Sequence, residues 1–312
     1  MDTPLWVWAA FLGFVVAMMA LDLAVFQRRS HLMSFREAGI WSAVWVGLAL
    51  VFNAILWRWR GPQAGLEFLT GYVIEESLSL DNLFVFLVIF RFFKLPDREY
   101  RRILTWGILG AIVLRGVMIG AGAALVAAFH WVLYLFGAAL IATAVKLFFT
   151  GDEGVETERN PLVRLARRFA PVTARFHGSR FFVRSRGRRA MTPLLIILLV
   201  VSWTDVVFAT DSIPAIFAVT RDPFIVFTSN MFAVMGLRSV FFLLVGILHK
   251  FRYLKAGLAV VLGFIGVKMV LEPWIHIAIV HSLAVVALTL AGSIGLSLAA
   301  APEAAAGKGR RR

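Results

Sequence analysis

Stretches of about twenty consecutive, mostly apolar residues recur along this whole chain, near 5–26, 39–57, 67–90, 103–128, 131–149, 192–219, 224–248, 256–271 and 275–298. A helix of that length spans the ~30 Å hydrocarbon core of a bilayer, a solvent in which only helices and closed barrels satisfy their own backbone. A chain of 312 residues that is 60% hydrophobic, with a mean hydropathy of +0.83, is too apolar for an ordinary soluble domain. The sequence predicts an all-α membrane protein of about nine transmembrane helices, one transmembrane domain over residues 1–301, and a disordered basic tail at 302–312.

The formal net charge of +14 suggests nucleic acid until its distribution is read. Lys and Arg sort by loop: one alternating set of loops, with the tail, holds 25 of them and the other set 3. Under the positive-inside rule this puts the N-terminus outside, the C-terminus in the cytoplasm and the helix number at an odd nine, with no nucleic-acid partner. The first segment follows Met1-Asp2-Thr3-Pro4, lacks the basic flank of a secretory signal, and reads as a retained helix. Trp6, Trp8, Trp57, Trp59 and Trp131 fall at helix ends, as an aromatic belt requires. The one long loop, 151–190, opens acidic and turns Arg-rich; within it Leu162, Leu165, Ala166 and Phe169 share a helical face, which predicts a short helix lying on the anionic inner leaflet.

Ionisable residues inside the segments are the next constraint. Glu75, Glu76, Asp81, Asp205, Asp211, Arg115, Arg238, Lys146 and Lys268 would together cost roughly 25 kcal/mol if each faced lipid alone, so they face one another or water. Helix-locking ion pairs, such as Asp81 with Arg238 or Asp211 with Arg115, are one way to achieve that. Neutral oxygens of Ser77, Ser79, Asn82, Thr204, Thr210 and Ser212 beside the carboxylates point to another, a hard-cation site suited to Mn²⁺, Mg²⁺ or Ca²⁺. Residues six apart in an unbroken helix lie about 120° from each other, so Glu75 and Asp81 would share a face only if the helix broke locally. Pro214 frees the Thr210 carbonyl, so the sixth helix is expected to kink or unwind beside Asp211. Asp22, near the inner end of the first helix, either lines a pathway or is simply solvated.

The acids repeat. Glu75-x5-Asp81-Asn82 in helix three matches Asp205-x5-Asp211-Ser212 in helix six, Arg115 in helix four matches Arg238 in helix seven, and Lys146 and Lys268 each follow Val near the ends of helices five and eight. With the topology above, helices 3–5 and 6–8 form an inverted repeat, a recurrent transporter design with the site at the repeat interface. Enzymatic readings lack parts: no cysteine, no His-Glu-x-x-His and no Gly-x-Ser-x-Gly. His130, His276 and His281 form no ligand spacing, and Gly116-x3-Gly120 is a close-packing signal.

Glu75-Glu76-Ser77-Leu78-Ser79-Leu80-Asp81-Asn82, Thr204-Asp205-Val206-Val207-Phe208-Ala209-Thr210-Asp211-Ser212-Ile213-Pro214-Ala215, Ser229-Asn230-Met231-Phe232-Ala233-Val234-Met235-Gly236-Leu237-Arg238 and His177-Gly178-Ser179-Arg180-Phe181-Phe182-Val183-Arg184 together resemble the TerC/Alx family. The resemblance implies a multi-pass protein of the bacterial inner membrane concerned with metal homeostasis, linked to manganese efflux and, by older naming, to tellurium resistance. It implies that Glu75, Asp81, Asn82, Asp205, Asp211 and Ser212 handle metal, with Ser202 standing where many relatives have glutamate.

The expectation is a secondary transporter, not an enzyme, that exports a divalent cation, Mn²⁺ first, with no permanently bound cofactor. Asp81, Asp211, Glu75 and Asp205 serve as ligands or proton carriers, Asn82 and Ser212 as neutral ligands, and Arg115 and Arg238 as counter-charges. Glu76, Lys146, Lys268 and Asp22 are candidates for a proton pathway. Moving two positive charges out of a cell at 100 mV inside-negative costs about 4.6 kcal/mol, which makes proton antiport the natural coupling. A membrane scaffold for metal loading or insertion of exported proteins and a tellurite-type oxyanion carrier are the alternatives. Lipid and the cation are the expected partners, and a homo-oligomer stays open. Reporter fusions should find the N-terminus and the His130 turn outside, with the 151–190 loop and the C-terminus inside; a cytoplasmic N-terminus would overturn both helix count and repeat.

Overall fold

Backbone groups at bilayer depth have to be bonded within their own segment, and the chain meets that demand with helices. The computed structural model describes residues 3–27, 33–129, 131–149, 171–173, 176–185, 188–247, 253–271, 274–275 and 277–299. Nine helices are formed among them: α1 (Leu5–Gln27), α2 (Phe35–Arg60), α3 (Pro62–Phe92), α4 (Asp97–Ala128), α5 (Val132–Phe149), α6 (Pro193–Phe217), α7 (Pro223–Ile247), α8 (Leu254–Leu271) and α9 (Ile279–Ala299). The chain is an all-α multi-pass membrane protein, and five of these helices, α2, α4, α6, α7 and α9, are long and apolar enough to cross a bilayer outright.

Local chemistry sets the helix ends. Ser34 and Glu37 form a reciprocal capping box at the start of α2, and Gly61, at φ +93°, turns the chain between α2 and α3. Asp222 caps α7 by accepting from the Phe224 amide (2.9 Å). α4 begins earlier than hydropathy alone suggests, because Asp97 and Glu99 place acids in its first turn. The unwinding expected at Pro214 is not found: α6 continues to Phe217, with the Ala218 amide donating back to the Pro214 carbonyl (3.0 Å). One lost amide donor is tolerated because the following residues resume bonding, only three residues before the helix ends.

α7 is the central post. It is buried on almost every side, which suits an apolar helix without an amphipathic stripe, and it packs against α2, α3 and α4. An aromatic cluster of Phe11, Phe52, Phe68, Phe224, Phe227 and Phe232 ties it to the first three helices, with ring centroids 5.1–6.4 Å apart. α5 and α8 make the closest backbone approach: a Cβ on Gly266 would stand 2.8 Å from the Gly137 carbonyl oxygen and 3.0 Å from the Ile141 amide nitrogen.

The stretch read from sequence as one loop contains ordered structure before α6. Strands β1 (Phe182–Ser185) and β2 (Arg188–Met191) pair antiparallel, with Phe182 opposite Met191. Thr192 seats this hairpin on α6 by donating to the Arg180 carbonyl (2.7 Å). The surface helix expected around Leu162–Phe169, His130, His276 and the tail lie outside the described residues.

Gly266→Ala should lower the thermal midpoint in detergent, by about 1–3 kcal/mol of stability, because its Cβ meets backbone that cannot yield without separating two helices. Gly120→Ala, where nothing lies within 4 Å of the added carbon, should be neutral. Equal effects at the two positions would contradict this contact.

Candidate functional site

Arg115 lies near the middle of α4 on a stretch of small residues. A Cβ on Gly107 would reach Val201 of α6 at 3.3 Å, and one on Gly116 would reach Phe227 of α7 at 3.4 Å, so neighbouring helices come close enough for the arginine to bridge them. Its side chain is 0% exposed.

A guanidinium has five N–H donors in a fixed planar fork. Here all five find acceptors. Nε and Nη2 donate to the two oxygens of Asp205 on α6 (3.1 and 2.9 Å), a bidentate pair. Nη1 donates to Glu75 Oε1 on α3 and to Asn230 Oδ1 on α7 (3.4 Å). The Asn82 amide, oriented so that its Nδ2 donates to the Leu78 carbonyl (3.0 Å), accepts from Nη2 (3.3 Å). One side chain of α4 thereby holds α3, α6 and α7. Two carboxylates on one guanidinium leave the trio with a formal charge of −1 at a position without solvent.

Some buried polar atoms of α3, α6 and α7 are not engaged. Glu75 Oε2, Ser79 Oγ, Ser212 Oγ and Asn230 Nδ2 are buried without a hydrogen-bond partner among the described residues. Ser212 lies seven residues past Asp205 and so on its face of α6, about 10 Å further along the axis. Glu75 and Asn82 share the same seven-residue spacing on α3. Of the unpartnered atoms, Glu75 Oε2 and Asn230 Nδ2 belong to side chains that hold Arg115, each leaving one polar atom unanswered among the described residues.

The other expected site residues are spread out. Asp211, six residues after Asp205, is turned away from Arg115 as the helix geometry requires and accepts from Thr143 Oγ1 on α5 (3.0 Å). The pairing of Asp211 with Arg115 offered from sequence is therefore not the one formed. Arg238 donates to Thr105 Oγ1 (3.3 Å), and Thr105 precedes Arg115 by ten residues, about 15 Å along α4, so the two arginines are not gathered in one place. Glu76 is half-buried with Oε2 unpartnered. Lys146 is exposed and Lys268 half-buried on the antiparallel pair α5–α8. Asp81 and Asp22 belong to α3 and α1, but their side chains lie outside the described residues. Among the described residues no three His, Asp or Glu side chains converge as a ready-made cation cage. Ser202 lies against α4, with its Oγ 3.7 Å from where a Cβ on Gly110 would stand.

Asn230 and Thr143 were missed in the sequence as site residues. Asn230 had a legible signal, a carboxamide inside a membrane segment next to Ser229; Thr143 had none, since threonines are common in membrane helices.

Residues 60–304 match the model of the integral membrane protein TerC family. The chain is 54% identical over 291 residues to "Uncharacterized membrane protein STKORF319" of Myxococcus xanthus, covering 93% of this chain and 91% of the relative. It is 48% identical over 294 residues to "Putative membrane-bound redox modulator Alx" of Escherichia coli K12, 91% of each chain, and 38% identical over 278 residues to "Uncharacterized membrane protein" of Rickettsia bellii, 89% of this chain and 92% of the relative. No solved structure is a significant match.

Arg115→Gln strands two buried carboxylates and should cost about 3–5 kcal/mol of stability in detergent unfolding. Adding Glu75→Gln to it should recover part of that loss, so the double-mutant cycle is strongly non-additive. Strict additivity would mean that the trio is not a unit.

Proposed function

The chain belongs to the integral membrane protein TerC family, and on that premise we propose that it is a secondary transporter exporting a hard divalent cation, Mn²⁺ first, across the bacterial inner membrane in exchange for protons. The observation that carries this reading is the buried Glu75–Arg115–Asp205 trio, with one carboxylate from each proposed repeat on a single guanidinium and Glu75 Oε2 left without a partner among the described residues.

The chemistry follows from the competition such a trio sets up. Carboxylates, an amide carbonyl and hydroxyls are the donors a hard cation prefers, and here the carboxylates are held by a guanidinium instead. Arg115 acts as a resident cation that keeps the empty site neutral enough to be stable. An arriving Mn²⁺ competes with it for Glu75 and Asp205, and protons re-occupy the carboxylates when the metal leaves. Each exchange changes what joins α4 to α3 and α6, so occupancy of the site is coupled to helix packing.

Packing supports the inverted repeat this mechanism uses. α3 lies against α6, α4 against α7 and α5 against α8, while α3 also packs on α7 and α4 on α6. Two triplets related by a two-fold axis in the membrane plane would give that pattern. The relatives' redox name, brought to this chain, would have to work through an ion or partner, because a chain with no cysteine has no dithiol of its own.

Metal flux in proteoliposomes, with a panel of divalent ions and an imposed pH gradient, tests the proposal. Glu75→Gln and Asp205→Asn should each abolish Mn²⁺ flux and manganese tolerance in cells while the protein still inserts, the double change should cost little more because both act on one guanidinium, and Glu76→Gln should be milder. Full flux in both single variants would sink the transporter reading. Activity that survives or improves when the acids are neutralised would favour an oxyanion carrier, whereas a scaffold would depend on the 151–190 loop and tolerate loss of the acids.

A further inference from the structure

Away from the trio, the first turns of α4, Arg238 of α7 and Ser179 in the segment leading into β1 line a cleft of about 410 Å³, with Arg98, Arg101, Arg102 and Glu99 among the α4 residues. Four guanidiniums and one carboxylate share it. The carboxylate is already engaged: Glu99 is buried, accepts from Ser179 Oγ (3.0 Å) and lies 3.6 Å from Arg98 Nε. Arg102 is stacked on the Phe181 ring, with its guanidinium carbon 4.8 Å from the centroid, which fixes the plane of its fork. Its Nε is buried and has no hydrogen-bond partner among the described residues. A fixed fork with a buried, unanswered donor inside a cleft rich in positive charge is the arrangement that binds an oxyanion.

The cleft also has an address. Trp106, one turn along from Arg102 on α4, is 50% exposed and stacks edge-on with Phe181 (6.2 Å), as a residue at the membrane–water boundary does. Basic clefts between membrane helices at headgroup level recognise phosphate-bearing headgroups.

We infer that this cleft is a binding site for a phosphate-class oxyanion, met either as an anionic lipid headgroup or as free phosphate, and that the ligand clamps the segment leading into β1, at Ser179, onto α4. A ligand there adds to the contacts that Phe181 and Ser179 already make with Arg102 and Glu99 of α4. It sits beside Arg238, so occupancy of the cleft bears on α7 as well. The inference does not depend on which ion the protein moves.

The test uses the purified full-length chain in nanodiscs of phosphatidylcholine alone or with phosphatidylglycerol, and in detergent with inorganic phosphate, reading the thermal midpoint and, by native mass spectrometry, retained lipid. Two variants are compared with the native chain: Arg102→Gln, and Arg98→Gln/Arg101→Gln, which leaves the Phe181 contact intact and removes one side chain that is 77% exposed. Stabilisation by phosphatidylglycerol but not phosphate, weakened about tenfold in either variant, identifies a headgroup site; stabilisation by phosphate as well identifies a site for the free anion. No stabilisation of the native chain by either, or equal stabilisation of native chain and variants, overturns the inference.

Discussion

A guanidinium buried in a bilayer has to have every donor answered, because neither lipid nor bulk water is there to answer them. Arg115 meets that condition with two oxygens of Asp205, one of Glu75 and the amide oxygens of Asn82 and Asn230. Those acceptors come from three helices that are distant in sequence. Satisfying one side chain therefore fixes the rotation of α3, α6 and α7 about their own axes and their height relative to α4. Few apolar contacts could do the same, since lipid is as good a partner for leucine as another helix is.

The remaining architecture can be understood as support for that junction. α7 is buried because it stands behind the trio and carries Asn230 into it, and the phenylalanine cluster around Phe232 packs its other sides. Glycines thin α4 where α6 and α7 must approach, and Gly137 and Gly266 let α5 and α8 meet backbone to backbone. Asp211 on α6 reaches α5 through Thr143, so the two acids of one helix connect to different parts of the bundle. Within the proposal, this division lets a change of charge on α6 be felt by both the central helices and the α5–α8 pair.

Much of this was legible in the sequence. Helix positions followed from apolar length, and Glu75, Asp205 and Arg115 stood out because charge inside a membrane segment demands a partner. Acids six apart do not share a face of an unbroken helix, and because the break expected at Pro214 does not form, Asp205 and Asp211 stay separated. Partner choice was not legible: Arg115 and Arg238 occupy matching places in the two halves, yet one grips two acids and the other donates to Thr105 on the early part of α4. That difference is set by the rotation and stagger of helices in three dimensions, which local patterns do not encode. Pro214 misled for a related reason, because a missing donor predicts strain but not how the following turn absorbs it. The hairpin was overlooked because Arg-rich sequence carries a topology signal strong enough to mask four-residue strands.

The central claim is that Arg115 occupies, as a tethered cation, the charge that a transported ion would take. The most direct measurement is the thermal midpoint of Arg115→Gln in nanodiscs as Mn²⁺ is added, with choline at matched ionic strength as the control. If a metal cation can stand in for the guanidinium, Mn²⁺ should restore stability to the variant in a saturable way, with less effect on the native chain, and choline should not. A variant that Mn²⁺ leaves as unstable as before would contradict the account and make the trio a purely structural knot.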